Sequence, residues 1–194
     1  MSIKNQYLVI IPARLAATRL PNKPLKILGD LPLIAHTYNG VKNITPHVYV
    51  ATDSSQIHSV CKELDIPCIK TTKEHLNGTS RTLEAYQLIK EDYDYIINVQ
   101  GDEVFISEEV LNPLIHLLET AQPQAATLRA PITECTSKSN VYVISNNQNE
   151  AIYFSRSPIP SSLDERIQRF QHIGVYAYTP KTLREYCNLS PTPL

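Results

Sequence analysis

The sequence predicts an α/β fold with a mostly parallel central sheet, flanking helices and a hairpin-rich second half. Two observations predict the parallel part: continuous apolar runs, such as YLVII (7–11), are typical of strands covered on both faces, and helical periodicity alternates with them. After Pro131 this alternation stops, and strands follow one another across short polar stretches, as in antiparallel hairpins.

The first half of the chain is predicted to contain strands and helices in turn. Its predicted strands are YLVII (7–11), HVYVAT (47–52), PCIKT (67–71), YIINVQ (95–100) and AATLRA (125–130). The first helix is predicted to begin after an N-cap at Asp53 and to present one apolar face, formed by Ile57, Val60, Cys61 and Leu64. Further helices are predicted in SRTLEAYQLIKED (80–92) and in SEEVLNPLIHLLET (107–120), the latter capped by Ser107.

The second half is predicted to be mainly strands. NVYVISN (140–146) and EAIYFS (150–155) are predicted strands around the polar turn NNQN (146–149). A proline-containing polar segment separates them from the strand HIGVYAYT (172–179). The last predicted helix has Thr179 as its N-cap and Pro180 as its first residue, where proline is favoured.

The composition disfavours several functional classes. The formal net charge is −1, so no overall positive potential points to a nucleic-acid partner. The apolar runs are too short to span a membrane, and the N-terminus has no secretory signal pattern. The four cysteines lack CxxC spacing and histidines at zinc-ligand spacing, so we expect reduced thiols in a cytoplasmic protein. Residues 1–194 are expected to form a single domain.

Three cations follow the first predicted strand, in the stretch IPARLAATRLPNKPL (11–25). Arg14, Arg19 and Lys23 lie between its prolines, and the stretch has no acidic residue. Ligands of such sheets bind beyond the carboxyl ends of the strands, and guanidinium and ammonium groups suit phosphate oxygens. The stretch lacks glycine, so it is not a Walker phosphate-binding loop. A phosphate site is the favoured interpretation, and a solvated basic loop is the alternative.

An acidic turn follows the fourth predicted strand, in NVQGDEV (98–104). Gly101 allows the backbone to turn, and Asp102 and Glu103 then stand at the carboxyl edge of the sheet. A carboxylate at this edge suits Mg²⁺, which usually binds one or two carboxylates together with substrate phosphates. The alternative is an ordinary turn whose acidic residues cap the next helix.

Three other polar segments stand near predicted strand ends or on a strand. HLNGTSR (75–81) offers backbone N–H and hydroxyl groups at a helix N-terminus, which suits an anion or a base edge but equally suits a plain helix cap. Arg156, in YFSRSPIP, has the geometry to clamp a substrate carboxylate. His172 and Tyr176 alternate along the strand HIGVYAY, and a structural histidine is the simpler interpretation of His172.

These segments occur together in an order that resembles one enzyme family. They are IPARLAATRLPNKPL, VATD, HLNGTSR, NVQGDE, YFSRSPIP and HIGVYAY. The set resembles the 3-deoxy-manno-octulosonate (KDO) cytidylyltransferases, also called CMP-KDO synthetases, along residues 8–194. The resemblance implies a nucleotide-diphospho-sugar transferase-like, Rossmann-like fold. It also implies transfer of CMP from CTP to the sugar acid KDO with Mg²⁺, release of pyrophosphate, and a role in lipopolysaccharide synthesis in the cytoplasm.

The resemblance also implies roles for individual residues, each taken from the matching motif. Catalytic roles fall on the triphosphate-binding cations and on a metal-binding carboxylate: Arg14, Arg19, Lys23 and Asp102. Nucleotide-binding positions, beside those cations, are Pro12, Ala13, His75, Asn77, Gly78 and Arg81. The sugar pocket comprises Gln100, Arg156, His172 and Tyr176. Asp102 is the expected Mg²⁺ ligand.

Some implications of the resemblance leave alternatives open. Family members typically form a homodimer through the second half, and we expect the same here, with CTP and a sugar acid as ligands and no nucleic-acid or membrane partner. The family continues past the SPTPL stretch into a segment with a second metal-binding aspartate, and we expect its absence here to leave the single domain C-terminally truncated and a poor catalyst. The alternatives are another sugar acid, such as amino-KDO or a sialic acid, and a non-catalytic nucleotide-binding homologue.

Overall fold

The predicted alternation of strands and helices is present in the computed structural model, which describes residues 6–15, 21–72, 75–132, 140–161, 167–190 and 192. Its strands are β1 Tyr7–Ala13, β2 Ile27–Leu28, β3 Leu31–Pro32, β4 Val48–Thr52, β5 Cys68–Lys70, β6 Tyr95–Val99, β7 Ala125–Ile132, β8 Tyr142–Ser145, β9 Ala151–Ser155 and β10 Arg169–Tyr178. Its α-helices are α1 Leu33–Val41, α2 Ser55–Glu63, α3 Gly78–Ile89, α4 Glu108–Thr120 and α5 Pro180–Cys187.

The chain divides into two compact units. The first comprises residues 1–126 and 175–194, and the second comprises residues 127–174. In the described part of the chain, no helix combines the length and the apolarity needed to cross a lipid bilayer.

The first unit contains the parallel sheet that the alternation predicts. Strands β5, β4, β1 and β6 lie side by side in this order, and every neighbouring pair is parallel. Residues 175–178 of β10 then pair antiparallel with β6. Strands β1 and β6 are buried along almost their whole length, as expected of strands that helices cover on both faces.

The core of the first unit joins this sheet to helices α3 and α5. A cluster of fully buried side chains includes Leu8 and Ile10 of β1, Ile96 of β6, Ala85 of α3 and Leu183 of α5. Burial of each leucine or isoleucine side chain contributes roughly 1.5–3 kcal/mol to folding. Helix α5 begins, as predicted, at an N-cap provided by Thr179, whose side chain accepts from the N–H of Thr182.

The second unit is built from antiparallel strands. Strand β8 pairs with β9, and Gln171 of β10 pairs with Tyr142 of β8. The predicted polar turn lies between β8 and β9, where the side chain of Asn146 accepts hydrogen bonds from the N–H groups of Gln148 and Glu150. The hairpin-rich second half of the sequence prediction is therefore confirmed.

Two local predictions are wrong and one helix was missed. Ser54, not Asp53, is the N-cap of α2, with its hydroxyl accepting from the N–H of Ile57, because the carboxylate of Asp53 pairs with Arg81 instead. Leu64, predicted on the buried face of that helix, lies at its end and is exposed. Helix α1 begins after Pro32, which has no side-chain cap hydrogen bond, so the sequence lacks the usual N-terminal signal.

Candidate functional site

The carboxyl ends of β1 and β6 bring two of the predicted site segments to one edge of the sheet. The two strands are parallel neighbours, with Ile10 opposite Asn98. The residues that follow β1 and those that follow β6 therefore leave the sheet at the same edge. Gln100 and Glu103 form a turn there, with the N–H of Glu103 donating to the carbonyl of Gln100 at 3.0 Å.

Pro12, near the end of β1, is closely approached by two glycines. A Cβ added to Gly101 would lie 3.0 Å from the carbonyl oxygen of Pro12, and one added to Gly78 would lie 3.1 Å from its Cγ atom. A side chain at Gly78 or Gly101 would therefore press against Pro12. The hydroxyl of Thr37, on the helix that the sequence did not reveal, lies 3.3 Å from the carbonyl oxygen of Gly101 and helps to fix this turn.

The predicted cation loop and the predicted acidic turn meet through one ion pair. The ammonium of Lys23 lies 2.5 Å from Oδ2 of Asp102, and both side chains are partly exposed. Lys23 begins a short 3-10 turn (Lys23–Leu25) after Asn22, which has a left-handed conformation at φ 56°. Asp102 is therefore a carboxylate that accommodates a cation at the edge of the sheet.

Of the other two cations of the loop, Arg14 belongs to the described residues. Arg14 directly follows β1 and is exposed, so its guanidinium has access to a ligand in solvent. Arg19 lies outside the described residues, and its role stays a prediction. Within the described ranges, no group of three His, Cys, Asp or Glu side chains could hold a metal ion.

The N-terminus of α3 stands beside these segments. Asn77 is its N-cap, and Oδ1 of Asn77 accepts a hydrogen bond from the N–H of Ser80 at 2.9 Å. The imidazole of His75 is engaged at both nitrogens: Nδ1 lies 3.2 Å from the hydroxyl of Ser80, and Nε2 lies 2.5 Å from Oε2 of Glu84. The side chain of His75 therefore contacts α3 rather than offering an open ring nitrogen.

Arg81, another predicted nucleotide-binding residue, is buried. Its side chain is only 5% exposed, and its guanidinium lies 3.0 Å from Oδ1 of Asp53. It also donates to the hydroxyl of Thr71 and to the carbonyl oxygen of Thr72. This arrangement ties the ends of β4 and β5 to α3, and it makes Arg81 a structural link between the segments of the site.

A polar cavity of about 170 Å³ opens beside the N-terminus of α3. Its lining residues come from α3, β6, β10 and α5, and they are Asn77, Gly78, Thr79, Asn98, Gln100, Tyr176, Tyr178 and Tyr186. The cavity thus joins four predicted site residues, which are Asn77, Gly78, Gln100 and Tyr176. Two lining tyrosines were not predicted from the sequence. Tyr178 belongs to the HIGVYAY segment, whereas Tyr186 belongs to no motif.

Asn98, one of the lining residues, carries a buried polar atom that has no hydrogen-bond donor among the described residues. Its side chain is buried, and its Nδ2 atom lies 3.5 Å from the hydroxyl of Thr79. In the part of the chain that the structure describes, no donor reaches its Oδ1 atom. Such an orphan acceptor costs about 1–3 kcal/mol, and it is typical of a place where a ligand or an ordered water completes the hydrogen bonds.

Three tyrosines form a stack along one side of the cavity. The rings of Tyr176 and Tyr178 lie 6.3 Å apart at 11°, and those of Tyr178 and Tyr186 lie 6.0 Å apart at 27°. Burial and the neighbouring Tyr186 raise the pKa of Tyr178 above its ordinary value, so its hydroxyl stays protonated. The stack therefore offers flat apolar faces beside the protonated hydroxyl of Tyr178.

The two remaining predicted site residues belong to the second unit. His172 is buried, its Nε2 atom lies 2.7 Å from the hydroxyl of Thr127, and the ring of Phe154 meets it edge-on at 5.2 Å. Burial lowers the pKa of His172 below its ordinary value, so its ring is held neutral. Arg156 directly follows β9 and is exposed. Their predicted roles in a sugar pocket stay predictions.

Comparison with known proteins identifies the family. The family model described as "Cytidylyltransferase" matches residues 8–194. The chain belongs to the cytidylyltransferase family. A relative from Polynucleobacter asymbioticus, named 3-deoxy-manno-octulosonate cytidylyltransferase, is 39% identical over 197 residues, which cover 96% of this chain and 78% of that relative. A relative of the same name from Parabacteroides distasonis is 37% identical over 203 residues, with coverage of 97% and 81%.

A solved structure has the same architecture as this cytidylyltransferase. It is described as CMP:2-keto-3-deoxy-manno-octonic acid synthetase complexed with CTP. It is 32% identical to this chain with a TM-score of 0.85, and the match covers 97% of this chain and 80% of that one. The family resemblance and the α/β fold predicted from the sequence are therefore confirmed.

Proposed function

We propose that this cytidylyltransferase transfers CMP from CTP to 3-deoxy-manno-octulosonate and releases pyrophosphate. The observation that carries the proposal is the meeting of a cation-bearing loop and an exposed carboxylate, through the pair Lys23–Asp102, at the sheet edge where Gln100 enters the polar cavity. The names of the two relatives and the CTP complex of the related structure support the same assignment.

The cation loop is proposed to bind the triphosphate of CTP. Arg14 is exposed directly after β1, and Lys23 lies in the following turn with its ammonium at the edge of the sheet. Charge-assisted hydrogen bonds from such groups are the strong ones, and they also stabilise a leaving pyrophosphate. Arg19, placed in the same loop by the sequence, is proposed to act with them.

Asp102 is proposed to hold Mg²⁺. The residues present fit this ion, because the Asp102 carboxylate is accessible and already accepts the ammonium of Lys23 at 2.5 Å. Mg²⁺ needs only one or two carboxylates when substrate phosphates supply further oxygens. When bound, the ion would neutralise charge on the triphosphate. Lys23 would then leave Asp102 and pair with phosphate oxygens.

The side of the polar cavity formed by Gln100 and Tyr176 is proposed to contact the sugar acid, and the side formed by Asn77 and Gly78 is proposed to contact the nucleoside part of CTP. The side-chain amide of Gln100 and the hydroxyl of Tyr176 are groups that can form hydrogen bonds with sugar hydroxyls. The chemistry is in-line attack by the anomeric hydroxyl on the α-phosphorus of CTP. The chain contributes mainly by holding both substrates in position and by placing cations near the developing charge.

The cellular setting is proposed from the same assignment. CMP-activated KDO is a building block of lipopolysaccharide, and the transfer is expected to take place in the cytoplasm. A homodimer through the second unit is proposed because β9 exposes the neighbouring apolar side chains of Ile152, Tyr153 and Phe154. Ile152 and Phe154 share one face of β9, and exposed apolar side chains that lie together on one face mark interaction sites.

Calorimetry with CTP and with cytidine tests the proposal at the phosphate end. Lys23→Ala should weaken CTP binding about tenfold or more, because a charge-assisted hydrogen bond contributes roughly 1.5–3 kcal/mol. Cytidine lacks phosphates, so its binding should change by less than about twofold, and Lys181→Ala on the exposed side of α5 serves as the matched control. Equal weakening of both ligands, or a wild type that does not bind CTP, would contradict the proposal.

A screen of acceptors tests the sugar end. Pyrophosphate release is measured with CTP and Mg²⁺ in the presence of KDO, amino-KDO or a sialic acid. Release with KDO above that with the other acids supports the proposal. Faster release with another acid reassigns the substrate, and CTP binding without release from any acid indicates a non-catalytic nucleotide-binding homologue.

A further inference from the structure

Glu84, on the second turn of α3, accepts several hydrogen bonds, although it has no role in the site described above. Its carboxylate accepts the backbone N–H of Thr72 at 3.0 and 3.1 Å and the hydroxyl of Thr72 at 2.9 Å. Its Oε2 atom also lies 2.5 Å from Nε2 of His75. The side chain is 23% exposed, so these donors act in a partly dehydrated place.

The electrostatics show that this carboxylate is held in its ionised form. Burial acts to raise the pKa of Glu84, but the hydrogen bonds from the N–H of Thr72, from His75 and from the Thr72 hydroxyl lower it more, so the net shift is downward. An ionised carboxylate accepts on both oxygens and binds its donors more strongly than a neutral amide would. Glu84 is therefore a strong fixed anchor on a rigid helix.

The residues that Glu84 contacts lie just before two lining residues of the cavity in the sequence. Thr72 and His75 precede Asn77 and Gly78, which line the cavity, while both ring nitrogens of His75 are engaged with α3. Neither Thr72 nor His75 is among the lining residues of the cavity. Glu84 therefore contacts the chain that precedes Asn77 and not the cavity itself.

We propose that Glu84 is a positioning residue of the nucleotide site. By holding Thr72 and His75 against α3, it fixes where Asn77 and Gly78 meet the ligand. This inference rests on the proposed function, in which the segment containing Asn77 and Gly78 contacts the nucleoside part of CTP. Removal of the anchor should therefore weaken recognition of the nucleoside and leave the binding of the phosphates almost unchanged.

Calorimetry on three ligands separates this role from a general loss of structure. In Glu84→Ala, the dissociation constants of CTP and of cytidine should rise roughly tenfold, because the segment before Asn77 loses its anchor and must be ordered when the nucleoside binds. The dissociation constant of inorganic pyrophosphate should stay within about twofold of the wild-type value, since the cation loop is untouched. Glu119→Ala, at an exposed position of α4, is the control and should change none of the three.

A conservative variant and a ligand-free measurement complete the test. Glu84→Gln keeps an acceptor for Thr72 and should recover part of the lost cytidine affinity, and it replaces the alanine variant if that variant does not fold. Amide hydrogen exchange without ligand should be faster at Thr72 and at residues 75–77 in Glu84→Ala than in the wild type.

The outcomes separate this inference from the proposed function. A wild type that binds CTP, together with a Glu84→Ala variant of unchanged cytidine affinity or equal losses for cytidine and pyrophosphate, overturns the positioning role and leaves the proposed function standing. A wild type that binds neither CTP nor cytidine overturns the proposed function and the ligand part of this inference. In that case unchanged amide exchange in the variant also overturns the anchoring.

Discussion

Arg81 gives the sharpest prediction about how the site is held together. Replacement by alanine removes a guanidinium that pairs with Asp53 and donates to Thr71 and Thr72. Loss of one partner of a buried ion pair costs about 3–5 kcal/mol, because the other charge stays dehydrated and unpaired. The Asp53 side chain is 26% exposed and recovers some hydration, so the lower end, about 3 kcal/mol, is expected.

Equilibrium unfolding in urea measures this cost directly. In thermal unfolding, the same loss of about 3 kcal/mol should lower the melting temperature by roughly 6–12 °C in a chain of this size. Arg81→Lys keeps the charge but not the fork of donors, so it should fall between the wild type and the alanine variant. The surface pair Lys181–Glu185 provides the control, and Lys181→Ala should cost less than about 0.5 kcal/mol.

A double-mutant cycle tests the physical reason for the effect. Asp53→Asn should be much less harmful in the Arg81→Ala background than in the wild type, because the unpaired carboxylate is then gone. An Arg81→Ala variant that loses less than about 1 kcal/mol, or a cycle in which the two losses simply add, would refute the structural role of Arg81.

Two further predictions concern the cavity and the second unit. Tyr186→Ala removes the outer ring of the tyrosine stack. The KM for the sugar acid should therefore rise roughly tenfold while the KM for CTP changes little. Equal changes in the two KM values would count against a sugar site here. Burial lowers the pKa of His172 below its ordinary value of 6.5. As the pH falls through 6.5, the unfolded chain therefore binds a proton that the folded chain does not. The contribution of His172 to the unfolding free energy is thus fully present above pH 6.5 and is lost on acidification. In His172→Gln the fall in unfolding free energy between pH 7.5 and pH 5.5, measured in urea at about 25 °C, should be smaller than in the wild type, and an identical fall would contradict the assignment.

Much of the fold could be predicted from the sequence because local signals and tertiary structure agree. The continuous apolar runs of β1 and β6 reflect their burial on both faces, and the caps at Ser107 and Thr179 are side-chain hydrogen bonds that the sequence states explicitly. Helix α1 escaped detection because its N-cap is Pro32, which makes no side-chain cap bond.

The errors at the site have a different origin. Asp53 has the local pattern of an N-cap, yet its carboxylate is drawn to Arg81, a residue 28 positions away that no local rule connects with it. For the same reason the sequence could not reveal that Lys23 meets Asp102 or that Tyr186 stacks on Tyr178. Motifs locate the strand ends that carry a site, while the partners of each side chain depend on tertiary structure.

The most direct test of the central claim is a phosphorus NMR experiment on the reaction mixture. With this chain, CTP, Mg²⁺ and KDO, we expect a new phosphodiester signal from CMP-KDO that grows in a 1:1 ratio with pyrophosphate. Neither signal should appear without KDO, and both should grow far more slowly with Asp102→Asn, since misplacement at a reacting centre can cost about a hundredfold in rate. Two results would contradict the proposed reaction: formation of pyrophosphate without KDO, or CTP that stays intact when the wild-type chain is supplied with KDO and with every other sugar acid.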